Sequence, residues 1–330
     1  MKKLSGLQLA SLLGGLLLCV AATAASAQQF TMKISSPTIN DVTQQWAKEL
    51  AAGLKARVGD KIKVECYPAS QLGQIPGTIE AVAPASGFFI GLEPRFQVFD
   101  APGLFKDMAH AQRMFADPAI RARLATFANA KGMELIAIWA HGPINIVSHK
   151  AIRKIGDFQG QKIRVPGAAP LQIKPFEALG AQPVSMPLGE VLSAMQTHTI
   201  DGMIAGATVF TAFKYYDVAK GMTALPGSFL VVPLMANKAW LKSLGPELEK
   251  AVREEAFNAQ RKVETFGIDE VERTAGVWKK HGGEVITLPE ADVEAYLAKV
   301  ASIAPAVLNA NPVTKGDFEL FSARAKALSQ

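Results

Sequence analysis

Apolar residues recur every fourth position at Val42, Trp46, Leu50 and Leu54, which predicts an amphipathic helix over 39–57. Strand-like runs flank it, Phe30 to Ser35 before and Lys61 to Tyr67 after, with Gly59-Asp60 as the turn into the second. The alternation continues with a helix over 109–130, a strand over 133–139, a short strand ending near Val147, a polar connection over 154–160 and a strand over 162–165. Pro170 to Leu179 reads as a helix stopped by Gly180. Beyond it come an extended stretch over 183–186, a helix over 188–197, a strand over 200–204, a helix over 207–219 and a β-rich run over 229–234. Strands alternating with helices predict an α/β fold. The last third differs. Residues 246–280 keep helical periodicity with no internal proline, and at 1.5 Å per residue such a helix is about 50 Å long, enough to lie across two domains. Further helices are predicted over 291–308 and 318–328, and no repeat of fixed period occurs.

Composition changes this picture mainly at the N-terminus. Lys2 and Lys3, the apolar run Leu7 to Val20 and the Ala25-Ser26-Ala27 site predict a cleaved secretory signal over 1–27. The apolar run is too short to span a bilayer. Leu18 stands where a lipidation site needs a small residue before Cys19. Without Lys2 and Lys3 the chain carries 33 basic and 29 acidic side chains, a net +4 spread along its length, which argues against nucleic-acid binding. Cys66 is then the one remaining cysteine, so neither an intramolecular disulfide nor a cysteine zinc cluster is expected. It shares a strand face with Ile62 and Val64 and reads as a small buried apolar residue.

Signatures of catalysis are missing. There is no phosphate loop, no dinucleotide fingerprint, no G-x-S-x-G elbow and no HExxH spacing among the five histidines. His141 and His149 flank a strand and read as loop or surface residues, and Asp269 and Glu272 as solvated helix positions. No cofactor or metal is expected, and an enzyme is disfavoured.

One residue stands against its surroundings. Arg164 sits between Ile163 and Val165, and Pro166-Gly167 ends the strand at once. A buried guanidinium stays charged and needs an anionic partner, and its planar fork matches a carboxylate. A partner from the protein would make it structural; a partner from solution would make it a receptor. The local sequence leaves both open, although ligands of open α/β sheets sit beyond such strand ends.

The segment GQKIRVPGAAPLQIKPFEALGAQPVSMPLGEVLSAMQTHTIDG, 160–202, resembles the solute-binding proteins of TRAP transporters, the DctP family. Of the family pattern G-x-K-I-R-V-P, F-x-A-L-G-A, P-M-P-x-x-E-V-x-x-A-x-Q and x-D-G, this chain has Arg164, Phe176 to Ala181, Met186-Pro187, Glu190-Val191, Ala194, Gln196 and Asp201-Gly202 in step. Weaker similarity covers most of the rest, including Gln71-Leu72-Gly73, 100–105, Tyr215-Tyr216-Asp217 and the long helix. The resemblance implies a two-lobed α/β periplasmic solute-binding fold, a long helix spanning both lobes and a ligand cleft between them. The lobes are expected as 28–144 with 230–268, and 145–229 with 269–330. It also implies delivery of a small organic acid to TRAP permease membrane subunits, with Arg164 holding the ligand carboxylate. A receptor for a sensor or another permease, or a periplasmic enzyme acting on a carboxylic acid, is the alternative.

Three departures from the family bear on the ligand. A second arginine common in the family is replaced by Ile144; a polar position after the D-G pair is Ala205; and the stretch after Pro76 is short by about two helical turns. Leu188 stands where phenylalanine is common, while Phe88, Phe89, Phe210 and Phe229 can add aromatic surface. The expected ligand is therefore a monocarboxylate with an apolar or aromatic body, bound by Arg164, Phe89, Leu188, Ala205, Ile144, Phe210 and Phe229.

Overall fold

The computed structural model describes residues 29–72, 81–82, 90 and 93–329. The expected signal segment, Phe88, Phe89 and the expected shortening after Pro76 lie outside the described residues. Nine strands form one sheet. In chain order they are β1 (Phe30–Ser35), β2 (Ile62–Tyr67), β3 (Ala81–Val82), β4 (Met133–Ser148), β5 (Lys162–Val165), β6 (Gln182–Ser185), β7 (Gly202–Gly206), β8 (Gly221–Asn237) and β9 (Glu284–Ile286). The sheet order is β2-β1-β3-β8-β4-β7-β5-β6, with β9 paired to β8.

Strands β4 and β8 run antiparallel through both halves of the molecule and join them. Residues 133–140 of β4 pair with 231–237 of β8, and residues 145–148 with 221–224. Between these stretches the register shifts at Ala140/Gly142 and again at Pro143/Asn145. The chain bends where its residues allow it. Gly227 has φ +62, and a Cβ there would lie 3.0 Å from the backbone nitrogen of Gly103, whose N–H donates to the Gly227 carbonyl. Only glycine fits that approach.

Each half packs apolar side chains on both sheet faces, as the two-residue period of a strand requires. Along β4, Ile138 and Ala140 enter a cluster with Phe96, Phe99 and Phe115, while Ala137 and Trp139 enter another with Trp46, Leu50 and Leu234. In the second half, Val147 and Met203 join Phe210 and Trp278, while Ile146, Ile163 and Ile204 join Phe158 and Phe176.

Helix α1 (Val42–Val58) starts one turn later than its periodicity suggests, because Asp41 caps it. The Asp41 side chain accepts from the N–H groups of Thr43 and Gln44, and the Gln44 side chain accepts from the Asp41 N–H. The helix expected over 109–130 is two, α2 (Met108–Ala116) and α3 (Pro118–Leu124). Pro118 cannot donate within a helix, and Asp117 turns to cap the new one. Second-lobe helices are α4 (Pro170–Ala178), α5 (Leu188–Gln196) and α6 (Ala207–Ala212). Helix α6 ends well before the expected Ala219, since Lys214 takes φ +57 and a single 3-10 turn follows. After the short α7 (Lys238–Ser243), the 36-residue α8 (Gly245–Lys280) spans both halves as expected. Its Val252, Ala256 and Val263 pack in the Trp46 cluster and its Trp278 in the Phe210 cluster. The indole of Trp46 donates to the Ala256 carbonyl over 3.1 Å and stacks on Trp139 at 5.8 Å. Cys66 is partly buried against the same cluster, and burial pushes its thiol pKa up.

The C-terminal helices pack in two places. Helix α9 (Glu290–Val300) packs in the second half through Tyr296 and Val300. Helices α10 (Ile303–Leu308) and α11 (Pro312–Ala327) instead place Ala304, Leu308, Phe321 and Ala325 with Phe96 and Phe99. Asp317, fully buried, holds Arg95 at 2.6 Å and also pairs with Arg123. The chain thus returns to the first lobe near residue 303, a step that helix periodicity cannot reveal. Phe321 has no exposed surface and meets Phe99 edge-on at 5.5 Å. Phe321→Ala should cost about 3–5 kcal/mol of stability in denaturant unfolding; a loss below ~1 kcal/mol would mean that α11 does not hold the first lobe.

Candidate functional site

Arg164 lies in the interior of β5, where its neighbours Ile163 and Val165 point into the Phe158 cluster and Arg164 points to the other face. β5 is flanked by β6 and β7, with Arg164 opposite Val184 and Met203. The side chain is 2% exposed. Its Nε donates to the Met186 carbonyl over 2.8 Å, which pins the guanidinium just past the strand end. Its Nη2 is buried with no hydrogen-bond partner among the described residues, and no ion pair within 4.0 Å involves it among them. Burial pushes its pKa down from the ordinary arginine value to about 10, with Tyr215 the nearby titratable group. The guanidinium is still charged at neutral pH, so this buried cation has no counter-charge among the described residues.

That cation faces a cavity of about 520 Å3, mouth included, walled by both lobes. The second lobe contributes Arg164, Pro166, Leu188, Ala205 and Val209. The first contributes Thr38, Asp41, His141, Leu230 and Val232. Asp41 and His141 are both buried, and His141 Nε2 donates to Asp41 Oδ2 over 3.2 Å. Thr38 Oγ1 donates to the same oxygen, and the α1 N–H groups serve the other. Burial raises the Asp41 pKa, but the bonds from His141, Thr38 and Thr43 outweigh this and hold it below the ordinary aspartate value. The carboxylate is ionised and its acceptor sites are taken, so it needs nothing from a ligand.

A second cavity, about 620 Å3 with its mouth, shares Pro166, Ile204 and Leu230 with the first. Ile144 and Phe229 line it. Phe229 also meets Phe105 edge-on at 6.2 Å.

The structure therefore brings Arg164, Leu188 and Ala205 into one cavity and Ile144 and Phe229 into its neighbour. Phe210 lines neither. It is fully buried, with its ring 6.0 Å from Tyr215 and 6.2 Å from Trp278. One position along α6, Val209 takes the wall instead, because consecutive helical residues point about 100° apart. Phe89 lies outside the described residues.

Thr38, Asp41 and His141 were not expected at the site. Asp41 carries a readable N-cap signal, but its pairing with a histidine 100 residues away does not. His141 and His149 are not brought together: the His149 ring bonds the carbonyls of Val218 and Met195 and packs on His198 at 4.3 Å. Asp269 and Glu272 are exposed, as expected. Among the described residues, no group of acidic, histidine or cysteine side chains could hold a metal ion, and no helix is long and apolar enough to cross a membrane.

Comparison with known proteins agrees with this geometry. The 2,3-diketo-L-gulonate-binding periplasmic protein YiaO of Escherichia coli is 30% identical over 253 residues, 73% of this chain and 76% of that protein. A TRAP periplasmic solute-binding protein from Desulfovibrio salexigens, solved with bound orotic acid, superposes with a TM-score of 0.85 at 25% identity. That match covers 91% of this chain and all of the other. The sugar acid binding protein DctPAm from Advenella mimigardefordensis, in complex with galactonate, has the same fold, with a TM-score of 0.84 at 23% identity over 91% of this chain and 99% of that one. The model of the DctP family, bacterial extracellular solute-binding protein family 7, matches residues 35–309, and the chain belongs to that family.

Proposed function

We propose that this protein captures a monocarboxylate with an apolar or aromatic body between its lobes and delivers it to the membrane subunits of a TRAP permease. The family consists of transport receptors for organic acids and not of enzymes. Periplasmic relatives place the work outside the inner membrane. The observation that carries the reading is the buried, unpaired end of Arg164 at an interlobe cavity. With Nε committed to Met186, an incoming carboxylate meets the end of the fork that carries Nη2.

Three features favour one carboxylate and an apolar body. Ile144, Leu188 and Ala205 supply no second cation or amide. The ionised Asp41 repels a second carboxylate from the first-lobe wall. The rest of the cavity is largely Pro166, Ile204, Val209, Leu230 and Val232. Orotic acid in the Desulfovibrio relative is one carboxylate on a flat ring, which is compatible chemistry.

Capture and closure follow from this layout. The carboxylate docks on the second lobe, and contacts to Thr38 and His141 on the first lobe favour the closed arrangement, since a ligand shifts such an equilibrium only by touching both sides. Closure removes water and strengthens the charge-assisted bonds. A micromolar affinity is about 8 kcal/mol, of which one bidentate pair gives roughly 1.5–3, so apolar burial supplies much of the rest.

Arg164→Ala should weaken calorimetric affinity for the ligand about a hundredfold or more with the fold intact, and Arg164→Lys should also weaken it because an ammonium lacks the planar fork. Unchanged affinity in Arg164→Ala would remove the anchor. In a thermal-shift panel, aromatic and alkyl monocarboxylates should raise the melting temperature and dicarboxylates should not; the reverse pattern rejects the proposed ligand class.

Burial also disfavours the charged guanidinium in the ligand-free protein. Its pKa of about 10, against the ordinary arginine value, corresponds to about 3 kcal/mol. Because the folded value is the lower one, the penalty is in full force below pH ~10 and fades only as pH rises between these values. Arg164→Met should therefore raise ligand-free stability by about 1–3 kcal/mol at neutral pH while abolishing capture. A less stable Arg164→Met protein would show that the arginine has an internal structural role.

A further inference from the structure

The cavity beside the Arg164 site contains a hydrogen-bonding group with no function in the fold. Gln172, on α4, is 6% exposed and lines this cavity. Its Nε2 donates to Asp100 Oδ2 over 3.1 Å. A carboxylate only accepts, so this bond fixes which way the amide faces. Oε1 is thereby turned away from Asp100. It is buried and has no partner among the described residues. A carbonyl kept unpaired in such a place is costly unless something from outside completes it.

The surroundings define that something. Apolar side chains, Ile144, Leu171, Leu225 and Phe229 among them, make most of the wall, so the body entering must be apolar. Beside Gln172 stands the Asp100 carboxylate, and it and the amide carbonyl both accept, so the group arriving at that corner must donate; the Ser228 and Tyr296 hydroxyls, which bond one another, line the cavity as well. Pro166, Ile204 and Leu230 line this cavity and the Arg164 cavity alike, so the two adjoin across these three residues.

The geometry points to a two-ended ligand: a monocarboxylate held by Arg164, an apolar middle lying across Pro166, Ile204 and Leu230, and a terminal hydroxyl or N–H that donates to Gln172 Oε1. This rests on the reading of Arg164 as the carboxylate anchor and adds the chemistry of the far end. A carboxylate in place of that donor would meet Asp100 and an amide oxygen, neither of which can donate to it.

Matched probes test it. ω-Hydroxyalkanoates of about four to eight carbons would be compared by calorimetry with alkanoates in which a methyl replaces the hydroxyl; the series spans the unknown reach at roughly 1.25 Å per bond. At one length the hydroxy acid should bind wild-type protein roughly five- to tenfold more tightly than its partner. Gln172→Met, close in volume but without the carbonyl, should erase that ratio while still binding the alkanoate. The ratio is taken on one protein at a time, so modest destabilisation of the variant does not affect it. Arg164→Ala should lose both probes. No preference at any length, or a preference that survives in Gln172→Met, overturns the far-end assignment while Arg164-dependent binding keeps the anchor. If neither series binds wild-type protein, the two-ended ligand is wrong, and Arg164-dependent binding of a polyhydroxy acid such as galactonate would then show that the anchor stands without it.

Discussion

A guanidinium enclosed by protein, with no carboxylate partner among the described residues, sets the terms for the rest of this structure. Arg164 is fixed by one bond to the Met186 carbonyl and exposes the other end of its fork to an interlobe cavity. Such a group is tolerable only because the strands beside it and the apolar clusters behind them are rigid and well packed. β5 is bordered by β6 and β7, and its flanking side chains anchor it in the Phe158 cluster. Stability is concentrated in these supports, and the site itself is left incomplete.

The first lobe meets this cation with a histidine and an aspartate that have already satisfied one another. A free carboxylate in the same cavity would compete for Arg164 and close the site. Asp41 is held instead by Thr38, His141 and the start of α1. One residue thereby begins a helix, orients a histidine and keeps its own charge away from the arginine. This division of acceptors is what allows both signs of charge to line one cavity without forming a salt bridge.

Local chemistry was legible in the sequence; long-range pairing was not. The α/β alternation, the long helix and the isolated Arg164 all follow from spacing and residue type. The motif from Gly160 to Gly202 supplied the two-lobed arrangement. Pro118 breaks a helix that apolar periodicity alone would carry through, and residues 133–148 form one strand although their first half reads as complete. Phe210 and Val209 exchange roles because a one-residue difference in helix phase decides which side chain reaches the wall. The Asp41–His141 and Asp100–Gln172 contacts join residues 100 and 72 positions apart, and neither leaves a local trace. The return of α10 and α11 to the first lobe depends on Phe99 and Asp317 finding partners more than 190 residues away.

Helix α8 has one further consequence. Its N-terminal half is built into the Trp46 cluster and its C-terminal end, through Trp278, into the Phe210 cluster. Melting of either cluster strips that part of the helix of its packing and weakens the remainder, since helical stability in proteins comes mainly from tertiary contacts. The two halves are therefore coupled through this one helix, so the packing of each apolar centre bears on the stability of the other.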